Sequence, residues 1–441
     1  MSLRERKLAE LADQVRGVDA DFECWLEETA DGKPLRKHNS QVRRLTEQLR
    51  GLVDVISAEM DAIPADGDEV LRQCRKVQRR VLEVHRIWDY YRSKLGQRYV
   101  SWYQQYLAAA DEFTWECYRL GAEHLGKDTA LVFLNGDFSP FTLDRGRQFT
   151  PERAGGQQSI EYLRFVTELP VPVIGLPWYQ LAHLADMVLV AHEVGHVVWT
   201  DLKLGSEAET HLLGAVADLP GDRRDAWLYW GPEVFADLYG VLAAGPAYAS
   251  ALADLLAADP DKVRAEFPPE SAANDHPPAS LRIALVTKAL RHNGFVEAAD
   301  TRAAAWQENY PSSDPYLDDV DLVVPALLDG AYEGFQGATM LERVRFSQEQ
   351  ERQAALTAHA AAVGQSLTHT EDVRALVAAA RLAFDRVPGD AEPQRAIVVK
   401  IQSVLDNRRR NEARRTSVPS SNDRAAGAAL HALFEMTEKN S

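Results

Sequence analysis

The first 130 residues carry a hydrophobic pattern that is typical of helices. Leucine, valine and aromatic residues recur at intervals of three and four in segments 42–60 and 70–125, a spacing that aligns them on one face of a helix. Segment 63–68 contains a proline, a glycine and acidic residues, which predict a turn followed by a new helix. We therefore expect an N-terminal helical region over residues 1–130, with aromatic side chains filling the space between helices.

The pattern changes after residue 130. Segments 131–134 and 171–176 are short and apolar and predict strands, and the stretch between them is rich in glycine and loops. Pro170, Pro172 and Pro177 lack the donor that a central strand needs, so the second strand is expected at a sheet edge. Such an edge could hold an extended peptide by strand addition; a rigid loop is the alternative. A helical pattern follows over 181–200.

The C-terminal third returns to a helical pattern, with alanine-rich stretches at 354–362 and 373–384. These observations predict a region of mixed strands and helices over 131–300 and a C-terminal helical region over 301–407. The arginine-rich segment that begins at 408 predicts a flexible basic tail over 408–441. The expected fold class is mainly α (α+β), with a small sheet.

The overall charge limits the classes of partner. The chain has 441 residues, a formal net charge of −17 and a pI near 5.2. Nucleic acids and anionic membrane surfaces would repel a protein with this average field. We therefore expect no nucleic acid partner, and the 46% hydrophobic and 26% charged fractions are those of an ordinary globular protein.

The cysteines and the apolar segments indicate the cellular compartment in which the protein is expected. Cys24, Cys74 and Cys117 form no CxxC pair, so free thiols in a reducing compartment are expected rather than a disulfide framework or a structural zinc site. The first fifteen residues contain no apolar core of a signal peptide. The longest apolar stretch, 181–199, contains five ionisable residues. We therefore expect a soluble cytoplasmic protein with no membrane span.

The sequence HEVGH occupies positions 192–196 of the predicted 181–200 helix. Residues four apart lie on one face of a helix, so His192 and His196 can reach one metal ion. Glu193 lies about 100° further round the helix axis. In that position its carboxylate can act as the general base that accepts a proton from a metal-activated water.

A second helix is predicted to begin at 231–232, because a Gly-Pro step breaks the chain and proline suits a first helical turn. Glu233 and Asp237 are four apart on that helix and share a face. Glu233 can supply a third ligand beside His192 and His196, and Asp237 can accept the free N–H of a ligand histidine. Two histidines, one carboxylate and an open position are typical of catalytic zinc, which predicts one Zn²⁺ per chain.

A third motif, HPPASLRI, starts at His276. His276 could donate a hydrogen bond to the oxyanion that develops during hydrolysis, or it could be a turn residue ahead of a helix. Arg282 could serve as the same donor, or could clamp Glu233 or another acid.

The order HEVGH, EVFAD, HPPASLRI resembles the gluzincin metallopeptidases. Within them it is most similar to the group that contains the HtpX heat-shock protease and the CAAX prenyl endopeptidases, over about residues 170–290. The resemblance implies a zincin-like core, with His192, His196 and Glu233 as ligands and Glu193 as base. It also implies Asp237 behind the ligands and His276 or Arg282 near the substrate carbonyl. Many members of that group are membrane-embedded, whereas this chain contains no predicted span.

These residues are compatible with three alternative functions. The first is a zinc metalloendopeptidase that acts on protein or peptide substrates. The second is a metal hydrolase acting on a non-peptide amide or ester, for which the same ligands would serve. The third is a latent or inactive helical interaction protein on a zincin-like scaffold. The long helical flanks also suggest a regulatory protein partner that releases a latent peptidase.

Overall fold

The computed structural model describes residues 2–64, 69–143, 171–266 and 276–411. The chain forms two compact units. Among the described residues, the first unit contains 2–104 together with Leu143, Val171 and Pro172, and the second contains 105–142 and 173–411. The described part is mainly helical with one small sheet, so the predicted balance of helix and strand is confirmed.

The first unit is built on three long helices that pack against one another, α1 (Leu3–Glu27), α2 (Asn39–Asp61) and α3 (Val70–Gly96). Ser2 caps α1, and its side chain accepts a hydrogen bond from the backbone of Glu5. Phe22 meets Trp88 edge to face, with ring centroids 5.4 Å apart, and the Trp88 indole donates to Asp21 at 2.7 Å. Phe22 and Trp88 thus fill interhelical space, as the spacing predicts, whereas Trp102 of the same aromatic-rich region is 66% exposed.

The second unit contains the sheet and most of the helices. Its strands are β1 (Leu131–Asn135), β2 (Phe141–Leu143, whose last residue belongs to the first unit) and β3 (Val173–Pro177). Helix α4 (Ser101–Ala122) begins in the first unit and lies mostly in the second. The remaining helices are α5 (Val190–Leu202), α6 (Gly205–Val216), α7 (Gly221–Tyr229), α8 (Gly231–Ala244), α9 (Pro246–Leu256), α10 (Pro260–Ala265), α11 (Ala279–His292), α12 (Val296–Asn309), α13 (Tyr316–Asp329), α14 (Met340–Val344), α15 (Gln348–Ala362), α16 (Val373–Arg386) and α17 (Glu392–Asn411).

The edge position predicted for the second strand is wrong. Strand β3 lies between β1 and β2 in the described sheet and pairs with β1 in parallel, from Leu131 opposite Val173 to Asn135 opposite Pro177. Pro177 is tolerated because it occupies the final position of the strand, and Pro172 precedes the first. Pro170 lies outside the described residues. The peptide-holding role argued for this strand from its edge position therefore loses its basis.

The central pair of helices in the second unit, α5 and α8, pack closely against each other. A Cβ at Gly195 would lie 2.9 Å from the Cα of Ala236, closer than packed atoms approach. Only glycine at 195 therefore permits this helix crossing. Helix α5 begins nine residues later than its apolar pattern suggests, because 3₁₀ turns at Trp178–Ala182 and Leu184–Leu189 precede it.

The helices after residue 300 belong to the same compact unit as α5 and α8. Helix α17 continues to Asn411, three residues beyond the predicted start of the basic tail at 408. Arg408 pairs with Glu112 and Glu116 of α4 at 2.8 and 2.7 Å, which explains why the helix extends this far. The rest of the predicted tail lies outside the described residues. No described helix is both long and apolar enough to cross a membrane.

A buried arginine joins α16 to α9 and to the turns before α5. Arg381 is 2% exposed and contacts the carboxylates of Asp186, Asp254 and Asp385. Its Nε also donates to the hydroxyl of Ser250 at 3.1 Å. A buried guanidinium is stable here because several carboxylates and a hydroxyl compensate for its lost hydration.

Replacement of Arg381 by methionine is expected to lower the free energy of unfolding by about 3 kcal/mol, since it removes the buried cation shared by the carboxylates of Asp186, Asp254 and Asp385. Urea denaturation of wild type and variant measures the difference. Arg302→Met is the matched control: Arg302 is 31% exposed and makes a single contact with Asp385, so its removal should cost less than about 1 kcal/mol. Equal losses in both variants would contradict the role given to Arg381.

Candidate metal centre

Helix α5 presents two imidazoles toward one point. His192 is buried, the side chain of His196 is 12% exposed, and their Nε2 atoms lie 3.1 Å apart. Two imidazole nitrogens at this distance repel each other unless a proton or a cation lies between them. The i, i+4 spacing thus brings the nitrogens of His192 and His196 within reach of one ion, as the sequence predicts.

Helix α8 adds a carboxylate to this pair. The Oε2 atom of Glu233 lies 3.3 Å from His192 Nε2 and 3.4 Å from His196 Nε2. A tetrahedral ion with bonds of about 2.0–2.1 Å has ligand atoms about 3.3–3.4 Å apart. The three atoms are therefore spaced like one face of a tetrahedral coordination shell.

Glu233 carries a further sign that the group suits a cation. Its Oε2 is buried and receives no hydrogen bond of acceptable geometry from the described part of the chain, although histidine nitrogens surround it. Burial alone would raise the pKa of Glu233, but the interactions with His192, His196 and His276 outweigh burial and hold this pKa far below its usual range. The carboxyl group is thus kept as an anion, the form that binds metal.

Asp237 lies one turn beyond Glu233 and fixes the tautomer of His192. Its Oδ1 is 2.9 Å from His192 Nδ1. An ionised carboxylate only accepts hydrogen bonds, so Nδ1 carries the proton and the lone pair of Nε2 faces the other ligand atoms. Burial would lower the pKa of His192, but the neighbouring carboxylates of Asp237 and Glu233 raise it to about 10. The surrounding anions therefore favour a positive charge at this point.

Two further residues hold Asp237 in place. Arg282 donates from Nε to Oδ2 at 2.7 Å and from Nη2 to Oδ1 at 2.8 Å, and the Tyr248 hydroxyl donates to Oδ1 at 2.7 Å. Gly240 makes room for the Tyr248 ring, since a Cβ there would lie 2.6 Å from it. Of the two roles considered for Arg282, the structure shows the clamp on an acid, and that acid is Asp237 rather than Glu233.

Glu193 is buried beside the ligand group and is oriented by the sheet. The hydroxyl of Thr142, in β2, donates to Glu193 Oε2 at 2.7 Å and to the Glu193 carbonyl oxygen at 3.2 Å. Among the described residues, Thr142 and Tyr248 contact the site although no sequence pattern identifies them. Neither shares a helix with the residue it holds, so no local spacing reveals it.

His276 reaches the same group from the start of α11. Its Nε2 lies 3.2 Å from Glu233 Oε2, and its side chain is 54% exposed. The backbone at Ala279 donates to the carboxylate of Glu266 at 2.6 Å, which ties the first turn of α11 to the end of α10. Together, His192, Glu233 and His276 could hold a metal ion.

Four of the residues that the sequence predicts for the site line one cavity of about 620 Å³, namely His192, Glu193, His276 and Arg282. His196, Glu233 and Asp237 contact this group from outside the cavity lining. The volume lies within the roughly 300–1,000 Å³ that small-molecule and substrate sites occupy.

Comparisons with family models, with curated proteins and with solved structures give no match for this chain.

Replacement of Asp237 by asparagine is expected to weaken metal affinity by about 10- to 100-fold, because the amide neutralises the charge that orients His192 and pairs with Arg282. Competition with a chromophoric chelator measures this affinity. Asp201→Asn is the control: Asp201 is also buried, on α5, but it contacts Tyr118 and Lys127. An unchanged affinity in Asp237→Asn would contradict the role given to this carboxylate.

Proposed function

We propose that this protein is a zinc-dependent metallopeptidase with a zincin-like catalytic core. One observation carries the proposal: three ligand-type atoms of His192, His196 and Glu233 are spaced 3.1–3.4 Å apart beside an open cavity. Zinc is favoured because two imidazoles and one carboxylate with room for a further ligand are its usual catalytic donor set. The resemblance of the three motifs to the gluzincins supports peptides as substrates.

The chain's own residues divide the chemistry among them. Zinc held by His192, His196 and Glu233 would supply a Lewis acid that polarises a carbonyl and lowers the pKa of water to about 7. The Glu193 carboxylate accepts the proton of the attacking water and later delivers it to the leaving amine. Thr142 fixes one oxygen of that carboxylate, so less ordering is needed when substrate binds.

His276 is the candidate donor to the developing oxyanion. Its half-exposed ring borders the cavity, and its Nε2 lies beside Glu233. An N–H in this position stabilises negative charge that forms on the substrate carbonyl oxygen. Arg282 acts on the site through Asp237, since two of its N–H groups are already bound there.

The test is cleavage of a mixed peptide library by purified protein, followed by mass spectrometry. We expect cleavage by protein that contains about one zinc per chain, its loss after treatment with a chelator, and its recovery when zinc is returned. A zinc-loaded protein that leaves every peptide intact would contradict the proposal. Hydrolysis of simple esters or amides by that same preparation would then favour the non-peptide hydrolase.

Replacement of His276 by alanine is expected to lower kcat by about 10²- to 10³-fold, because the oxyanion loses a donor. Zinc content should stay at about one per chain, since the other three residues still hold the ion. Kinetics on a cleaved peptide and metal analysis of the same sample provide both measurements.

His292→Ala is the matched control, because His292 lies at the other end of α11 and pairs with Asp329 outside the cavity. Its kcat should equal that of the wild type. Loss of zinc from His276→Ala would instead identify His276 as a ligand. Unchanged kcat with lowered stability would identify it as a turn residue.

A further inference from the structure

We propose that one face of α9 forms a subsite for a bulky apolar side chain of the substrate, next to the bond that is cleaved. The inference rests on the proposed function, because it names the substrates that the metal centre would act on: peptides with a large aliphatic or aromatic residue beside the scissile bond. The subsite is defined by Leu252, Leu255 and Leu256, and Leu189 and Trp230 line the same cavity.

The face begins at the metal centre. Tyr248, Leu252, Leu255 and Leu256 follow the spacing that puts residues on one side of a helix, and all four line the cavity. The hydroxyl of Tyr248 binds Asp237 directly behind the ligand His192. At about 1.5 Å per residue, Leu252 and Leu256 lie about 6 and 12 Å further along the helix axis.

These distances match the reach of a substrate side chain. An extended peptide advances about 3.3 Å per residue, so the leucine face covers the first positions away from the cleaved bond. Leu255 and Leu256 are only half-buried, although they line a concave cavity with the buried Leu189 and Trp230. Apolar surface that remains open inside a cavity is a typical feature of a ligand site.

The opposite face of α9 is fixed to the rest of the unit. Ser250 and Asp254 point about 180° away from the leucine face, and both contact the buried Arg381 of α16. Because α9 is held from behind, its leucine face presents a rigid wall to the cavity. A rigid wall discriminates between side chains by fit, since it cannot collapse around a small one.

The probes for the subsite are N-acetyl-leucine hydroxamate and N-acetyl-glycine hydroxamate, titrated calorimetrically into zinc-loaded protein. The hydroxamate group chelates the ion in both probes, so the difference in affinity reports on the side chain alone. We expect the leucine probe to bind about 10- to 100-fold more tightly, as burial of one leucine side chain provides. In Leu255→Gln/Leu256→Gln this preference should fall below about 3-fold, with zinc content unchanged.

The matched control is Leu213→Gln, which alters a leucine of α6 that is 41% exposed and does not line the cavity. Its preference for the leucine probe should equal that of the wild type. Equal affinity of the wild type for the two probes, absence of binding to either, or a preference that survives the double substitution would overturn the subsite.

Peptide cleavage separates this inference from the proposed function. Cleavage sites in the library that show no apolar preference on either side of the broken bond would overturn the subsite and leave the peptidase intact. A leucine preference among hydroxamates without cleavage of any peptide would contradict the peptidase and support the subsite for another class of substrate. A preference in both assays supports both.

Discussion

Replacement of His196 by alanine should remove the metal from the protein. The variant leaves His192 and Glu233 as the ligands contributed by α5 and α8, and two protein ligands rarely retain zinc through dialysis. Retention of zinc would instead indicate that His276, which lies beside Glu233, serves as a ligand. We expect about one zinc per chain in the wild type and below about 0.1 in the variant, measured by inductively coupled plasma mass spectrometry. Peptide cleavage should disappear with the metal.

The control for this loss is His211→Ala. His211 lies on α6, where its Nε2 faces the carbonyl oxygen of Ala331 and does not border the cavity. Zinc should stay at about one per chain, and circular dichroism should show that both variants keep their helices. Full zinc occupancy in folded His196→Ala would exclude this histidine as a ligand, and with it the spacing argument for the centre.

Glu193→Gln should keep the metal and lose most of the turnover. Glutamine preserves the shape of the side chain and can still accept the hydrogen bond from Thr142, so the fold and the ligands should be unaffected. The amide cannot accept the proton of the attacking water, and loss of a general base lowers kcat by about 10²- to 10⁴-fold. Single-turnover kinetics on a cleaved peptide, with zinc measured in parallel, provide the comparison.

Glu209→Gln is the matched substitution, because Glu209 is an exposed carboxylate of α6 and does not line the cavity. Its kcat should be that of the wild type. Turnover in Glu193→Gln at the wild-type rate would mean that another group activates the water, and the assignment of the base would be wrong.

The parts of the centre that follow from the sequence are those encoded within single helices. His192 and His196 share a face of α5, and Glu233 and Asp237 share a face of α8, because residues four apart are always neighbours on a helix. Gly195 adds a clue within the motif itself, since the absence of a side chain at that turn lets the two helices approach.

The parts that do not follow depend on contacts between distant segments. Thr142 reaches Glu193 from a strand 51 positions away, and Tyr248 reaches Asp237 from the next helix. The sequence leaves the acid that Arg282 clamps open between Glu233 and another acid, and only the packing of α11 against α8 selects Asp237. Hydrophobic periodicity predicts which face of an element is buried, but it does not predict which element covers that face.

The sheet illustrates the same limit. Prolines around β3 indicated an edge strand, yet they flank or end the strand and leave its inner residues free to pair on both sides. Gly175 is a clearer signal in retrospect: a Cβ there would collide with the Phe141 ring of the neighbouring strand. A glycine inside a strand marks such close approach.

Because α5 and α8 cross at Gly195, the geometry of the candidate metal centre depends on the distance between these two helices. A methyl group at this position would meet Ala236 and Tyr239 at 2.9–3.1 Å, so α5 and α8 would have to part by a few tenths of an ångström. Metal sites tolerate deviations of only about 0.2 Å in ligand distance. A displacement too small to unfold the protein would therefore weaken zinc binding. Glycine is required at the fourth position of HEVGH because a larger residue would collide with α8, not because glycine takes part in the chemistry.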